Sequence, residues 1–341
     1  MGAAFFLYQG ADGGNHGKGH GRIGRKGALS LALGCGFGRT ISNCGIYGDE
    51  SGVLRFLGGH GDDANAFDAD RFWLDCDRSF GGRAANKRTA QADAKGERTM
   101  KKIDAHAHVG DFGGWAGVSI TAKQLVEQMD AYEMEKAVLC STDSTDNHLA
   151  AQAARAYPGR FWPLVYTNPL EGKKAVEQIY RYVEEEGFCG IKLQPLKHAY
   201  VADSAVVDPV MEAAEKLRVP VFIHCGHPPY SLPWSIAFLA ERHAQVPTVM
   251  IHMGHGHGVY IDAALKMARR FPNLYLEMSG MPMGSKIKEA YETVGKERIL
   301  FGTDAPFHHP SVEIQKVLTC GLEEAALADV FYENAHRLMT R

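Results

Sequence analysis

From Lys101 onward, apolar and β-branched runs alternate with segments whose apolar residues recur every three or four positions. The runs are KIDAHAH (102–108), KAVLCS (136–141), FWPLVYTN (161–168), CGIKLQPL (189–196), VPVFIHCG (219–226), TVMIHMG (248–254), LYLEMSG (274–280) and ILFGTDA (299–305). Their length and near-continuous apolar character predict parallel strands buried on both faces. Between them, AKQLVEQMDAYEM, KKAVEQIYRYVEEEG, PVMEAAEKL and IDAALKMARRF place apolar side chains on one helical face. Strands and helices in strict alternation predict an α/β chain whose residues 100–341 form a (β/α)8 TIM barrel. An open doubly wound sheet is the competing arrangement, but no G-x-G-x-x-G or G-x-x-x-x-G-K-[ST] follows the first strand. The tail LEEAALADVFYENAHRLM predicts terminal helices packed outside the barrel.

Residues 1–99 do not share this pattern. They hold more than half of the chain's 38 glycines, and no helical or strand period persists in them. So little apolar area offsets the chain entropy that a disordered or poorly packed extension is expected. Met1 to Gly10 has an apolar FFLY but no basic start or cleavage pattern, and Phe6 sits where a myristoylation signal wants Ser or Thr. Arg22 to Cys35 resembles an export signal only in having basic residues before a very short apolar stretch. A sharper expectation is that Met100 is the natural start and 1–99 a misread upstream extension.

Composition narrows the function classes. The net charge of -3 gives no argument for a nucleic-acid partner, and no apolar run reaches the length of a membrane span. Seven scattered cysteines form neither a disulfide framework nor a C-x-x-C pattern, which suits a reducing, cytoplasmic setting. A small-molecule substrate is expected, and homo-oligomerisation is left open.

The chemistry gathers where a barrel puts it, at the C-terminal strand ends. In KIDAHAH the strand period points Asp104, His106 and His108 one way and Ile103, Ala105 and Ala107 the other, so two imidazoles converge. Lys192 lies in the fourth strand, sharing a face with Gly190 and Gln194, while His224, His252 and Asp304 end the fifth, sixth and eighth. Any one of these histidines alone reads as a satisfied core residue. Four with an aspartate on one rim point to a joint metal site, because burying such groups is costly unless they are paired or bound to metal.

The order D-x-H-x-H, G-I-K-L, V-x-I-H, I-H-M-G and F-G-T-D resembles the amidohydrolase superfamily, specifically amidohydrolase family 2, over Met100 to Arg341. The resemblance implies a distorted TIM barrel holding one or two divalent ions, most often zinc. His106, His108, His224 and Asp304 would be ligands, with Asp304 also the catalytic base. His252 would bind a second ion, or else hold the reactive water or a substrate oxygen. Lys192 would neutralise charge or take a substrate carboxylate; in some branches the equivalent lysine is carbamylated and bridges two metals. The chain departs from the pattern after G-I-K-L, where Gln194-Pro195 replaces the usual H-P and His198 follows, and after I-H-M-G, where His255 and His257 replace the usual glycines. His308 and His309 are placed near the pocket mouth, Trp115 and Trp234 as pocket walls, and Cys225 in the core facing the helices.

Such a set suits hydrolysis of an amide, ester or lactone by metal-activated water, with Asp304 moving the proton and His252 or the metal stabilising an oxyanion. Non-oxidative decarboxylation of an aromatic or unsaturated acid is the alternative. The absence of a strand-end arginine to hold an acid favours hydrolysis. A non-catalytic metal-binding barrel is the remaining class, and a closed structural site would not need Asp304.

Overall fold

The strand and helix pattern closes into a barrel. In a computed structural model, residues 100–114, 116–142 and 145–341 are described, together with the backbone of three short strands ahead of them. Those strands, Leu29–Ser30, Gly45–Gly48 and Leu54–Leu57, pair antiparallel within a unit spanning Met1–Glu97; the rest of the expected N-terminal extension lies outside the described residues. The second unit, Arg98–Arg341, carries β1 (Lys102–Asp111), β2 (Met134–Ser141), β3 (Phe161–Tyr166), β4 (Gly190–Leu193), β5 (Val221–His224), β6 (Thr248–Ile251), β7 (Leu274–Glu277) and β8 (Ile299–Leu300).

Each of these strands pairs in parallel with the next, in chain order. The barrel closes between β8 and β1, where Ala105 N–H donates to Phe301 O at 2.8 Å, His108 N–H to Ala305 O at 2.8 Å and Asp304 N–H to His106 O at 2.7 Å. This is the TIM-barrel architecture that the alternation predicts.

The helices α1 (Ala122–Ala131), α2 (His148–Ala156), α3 (Lys173–Glu186), α4 (Asp208–Leu217), α5 (Pro233–Arg242), α6 (Gly258–Arg270), α7 (Gly284–Thr293) and α8 (Pro310–Leu318) each follow a strand. Their local signals are legible. Thr121 and Gln124 form a capping box at the start of α1, and Gly187, at φ 72°, ends α3 in the left-handed conformation glycine tolerates. In α3 the residues buried against the sheet are Ala175, Ile179 and Tyr182, spaced by four and three. The C-terminal tail forms α9 (Glu324–Ala328), a π-helical turn and α10 (Asn334–Met339), whose Ala335 and Leu338 pack with Ile103 and Leu300.

Two apolar layers result. One fills the barrel, with Val138, Leu164, Phe222 and Tyr275 in it; the other lies between strands and helices, with Leu139, Ile191, Ile223 and Leu276. Strict alternation fails in β1, because its register against β2 shifts between Asp104 and Ala107. Ile103 and Ala105 therefore join the inner layer and Ala107 and Val109 the outer one, which still leaves His106 and His108 facing inward. The strand ladders also stop earlier than the apolar runs suggest. Pro195 opens a helical turn after β4, and His252 begins a 3-10 turn after β6. Buried Met253, Phe301 and Ala305 keep the runs apolar beyond the last ladder bond, so hydrophobicity alone overextends the strands.

Candidate metal centre

At the strand ends lies a cavity of about 690 Å3 with His106, His108, Lys192, His224, His252 and Asp304 in its lining. Three donor atoms meet at its floor. His106 Nε2 and His108 Nε2 each lie 3.2 Å from Asp304 Oδ1 and 3.3 Å from one another. Ring or carboxylate atoms of His106, His252 and Asp304 likewise fall within 4.8 Å of each other. His252 reaches this point because its backbone turns left-handed at φ 67°; Ile251 before it faces the inner layer, so a continued strand would aim His252 at the helices.

The outer nitrogens fix the tautomers. His108 Nδ1 lies 3.1 Å from Ser141 O, and His252 Nδ1 lies 2.9 Å from Ser279 O. A carbonyl can only accept, so each Nδ1 carries a hydrogen, and Nε2 is the nitrogen that would offer a lone pair to a metal in the cavity. His106 Nδ1 is buried and has no hydrogen-bond partner among the described residues, a cost of about 1–3 kcal/mol that a metal bond at Nε2 would offset. These residues fit a divalent ion: neutral imidazoles and one carboxylate suit zinc or manganese.

Electrostatics agree with that fit. Burial, with Lys192 nearby, holds His106 well below the ordinary imidazole value; burial does the same to His224 and brings His252 down to about 3. Burial disfavours charge on His108 too, but Cys140 Sγ at 3.2 Å and the Asp304 carboxylate outweigh it and push the ring up to about 10. Burial by itself would raise Asp304, yet the bonds from His106 and His108 hold it well below the usual carboxylate range. The Asp304 carboxylate therefore draws a cation to the meeting point, a proton on His108 or a metal ion in its place.

The remaining sequence candidates divide. Lys192 sits at the floor, 1% exposed, with Nζ 3.4 Å from His106 Nε2. His224 Nε2 lies 2.8 Å from His227 Nδ1, and the donor group that lies within 4.8 Å includes His252 with His106 and Asp304. His255 and His308 line the cavity, whereas His257 and His309 cap the N-termini of α6 and α8. Trp234 is not a wall: it lies in α5 against Tyr260, with ring centroids 6.0 Å apart, and Phe112 and Phe307 take that place. Trp115 lies outside the described residues. Cys225 is fully buried in the outer layer, as its strand parity requires.

Two groups that touch the cavity or its histidines went unnoticed in the sequence. His227 follows His224 by three residues in HCGH, a spacing that carries no ligand signal outside a helix. Glu277 ends β7 fully buried behind His252, and burial pushes its carboxyl up to about 8 despite bonds from Ser279 and the His252 N–H. A charged residue closing an apolar strand, in LYLE, was the available clue.

Comparison with known proteins places this barrel. Over 216 residues the chain is 23% identical to the 3'-5' ssDNA/RNA exonuclease TatD of Pantoea sp. (strain At-9b), an alignment covering 57% of this chain and 79% of that protein. Its fold is similar to that of 2,6-dihydroxybenzoate decarboxylase from Rhizobium, with TM-score 0.55 and 19% identity over 70% of this chain and 98% of the other. It is also similar to 5-carboxyvanillate decarboxylase from Novosphingobium aromaticivorans, solved with manganese and 4-hydroxy-3-methoxy-5-nitrobenzoic acid, with TM-score 0.59 and 14% identity over 72% of this chain and 97% of the other. The amidohydrolase family model matches residues 103–340, a span that contains every strand of the barrel but the first residue of β1 and every donor at its floor, and the chain belongs to the amidohydrolase family.

Proposed function

We propose that the chain is a divalent-metal-dependent decarboxylase of a small, flat carboxylic acid, aromatic or unsaturated. The observation that carries this is Lys192, whose ammonium lies 3.4 Å from His106 Nε2 at the cavity floor. An acid substrate needs a cation beside its carboxylate; among the described residues the barrel's strand ends offer no arginine, and Lys192 would fill that place. The walls suit a planar group: Phe112 and Phe307 meet edge to face at 4.3 Å, and Phe112 lies 5.0 Å from the His108 ring. The cavity is of small-molecule size.

His106, His108, His252 and Asp304 would hold the metal, which when bound supplies Lewis-acid polarisation of the substrate oxygens. Asp304 Oδ2, the oxygen turned away from His106 and His108, lies 4.0 Å from His308 Nε2 at the more exposed mouth. With one water bridging that gap, the pair would relay a proton from solvent to the carbon that loses its carboxylate. Decarboxylases among the proteins of similar fold support the same assignment.

One observation favours hydrolysis as a second reading: Asp304 is ionised and buried beside the centre, as a base that takes a proton from water should be. A panel of hydroxybenzoates, unsaturated acids, lactones and amides incubated with metal-loaded protein, read by mass spectrometry, separates the two. Loss of carbon dioxide from an acid is the expected result. Gain of water by a lactone or amide, with no acid decarboxylated, overturns the proposal in favour of hydrolysis.

A further inference from the structure

Beyond the floor of the cavity, the segment His252–His255 has an uncommon backbone. Its φ angles are 67°, 48°, 92° and 58°, so four successive residues are left-handed and three of them are not glycine. This turn delivers both His252 and His255 to the cavity, their ring centroids 5.2 Å apart. Tight packing confines it: a Cβ on Gly254 would come within 2.5 Å of the Tyr260 backbone, and one on Gly226 within 2.5 Å of Gly254. Inside the turn, His255 N–H donates to His252 O at 2.7 Å.

Where the turn begins, the His252 N–H has left the β-ladder and needs an acceptor. Glu277 supplies it, with Oε2 at 3.1 Å. The same carboxyl accepts Ser279 N–H on Oε1 at 2.6 Å and the Ser279 hydroxyl on Oε2 at 2.9 Å. Ser279 in turn faces His252 Nδ1 with its carbonyl at 2.9 Å and its hydroxyl at 3.1 Å. Gly302 leaves the room this needs, since a Cβ there would fall on Glu277 Oε1. One buried carboxyl thus grips the main chain of His252 and, through Ser279, the outer edge of its ring.

We propose that Glu277 is the positioning residue for His252: through the His252 N–H and Ser279 it holds the left-handed turn and keeps His252 Nε2 directed at the metal centre. The inference rests on reading the cavity as a metal centre, and it is independent of the substrate. Glu277→Gln is an informative variant, because a carboxyl keeps a lone pair for the His252 N–H whether or not it is protonated. Gln offers one accepting oxygen in place of two, so its amide hydrogens oppose either the His252 N–H or the Ser279 N–H that the carboxyl accepts.

The test measures Zn(II) affinity by chelator competition in the full chain, Glu277→Gln, His252→Ala and the double variant, with 15N-histidine spectra beside it. Glu277→Gln is expected to weaken Zn(II) binding about 10–100-fold, and the double variant no further than His252→Ala alone. The His252 ring, fixed with hydrogen on Nδ1 in the parent, is expected to average between tautomers in Glu277→Gln. Should that variant fail to fold, Ser279→Ala, which removes only the hydroxyl link, is expected to weaken Zn(II) binding several-fold. Parent-like affinity and tautomer in a folded variant, or losses that add in the double variant, would overturn the proposal. If the parent binds no Zn(II), the metal-centre reading fails, and the 15N spectrum still decides whether Glu277 positions His252.

Discussion

Replacing Asp304 by Asn separates charge from shape at the centre of the site. Asn is nearly isosteric, and it is among the residues that best tolerate the left-handed backbone seen here at φ 56°. The Asp304 N–H bond to His106 O, part of the barrel closure, therefore survives. What disappears is the negative charge 3.2 Å from both His106 and His108 Nε2. Interactions with a charged group of this kind are worth about 1.5–3 kcal/mol, so metal affinity should fall about 10–100-fold. The amide cannot carry a proton between His308 and substrate, so turnover at metal saturation should fall by about two to four orders of magnitude. Metal competition, melting temperature and carbon dioxide release on one preparation give the three numbers. A folded Asn variant with parent-like affinity and turnover would refute the assignment of Asp304 to both the ligand set and the proton route.

Other residues give independent checks. Lys192→Met should leave metal content intact while lowering kcat/KM for an acid substrate about 10–100-fold, the value of one charge-assisted contact, measured by steady-state kinetics. Glu277 is an acid raised from 4.5 to about 8, so between those values the unfolded chain releases a proton the folded chain keeps, and stability falls as pH rises. The lowered histidines oppose this only below about 6.5, where the unfolded chain binds protons and the folded chain does not. His108, raised from 6.5 to about 10, loses stability over the same range, so melting scans from pH 6.5 to 8 should show a decline that Glu277→Gln makes shallower by about 2 kcal/mol without abolishing it. His257→Ala, at the cap of α6, should cost up to about 1 kcal/mol in thermal unfolding and leave metal binding unchanged.

How much of this was legible in the sequence depends on whether a feature is carried by period or by backbone geometry. Period 2 in the strands and 3.6 in the helices gave the barrel, the order of its elements and the inward face of Lys192, because both patterns follow from burial. His106 and His108 still meet despite a register shift in β1 between Asp104 and Ala107, and both line the cavity. The partners of His224 and His252 were not legible. His252 reaches the floor through a left-handed turn, and no hydrophobic pattern encodes the sign of φ. Trp234 was assigned to the cavity by its loop-like PYSLPW context, but Pro233 starts a helix there and the ring turns to Tyr260. Glu277 was invisible as a partner because its bonds are to a main-chain N–H and to Ser279, neither of which a motif records.

The central claim is that His106, His108, His252 and Asp304 hold a divalent ion at the cavity floor. Metal content of the purified chain after exposure to zinc or manganese and extensive dialysis, measured by elemental analysis beside His106→Ala and His108→Ala, tests it directly. The expected result is a tightly held divalent ion in the parent and its loss from both variants, with the barrel still folded. A folded parent that retains no divalent ion, or His variants that retain it in full, would contradict the account.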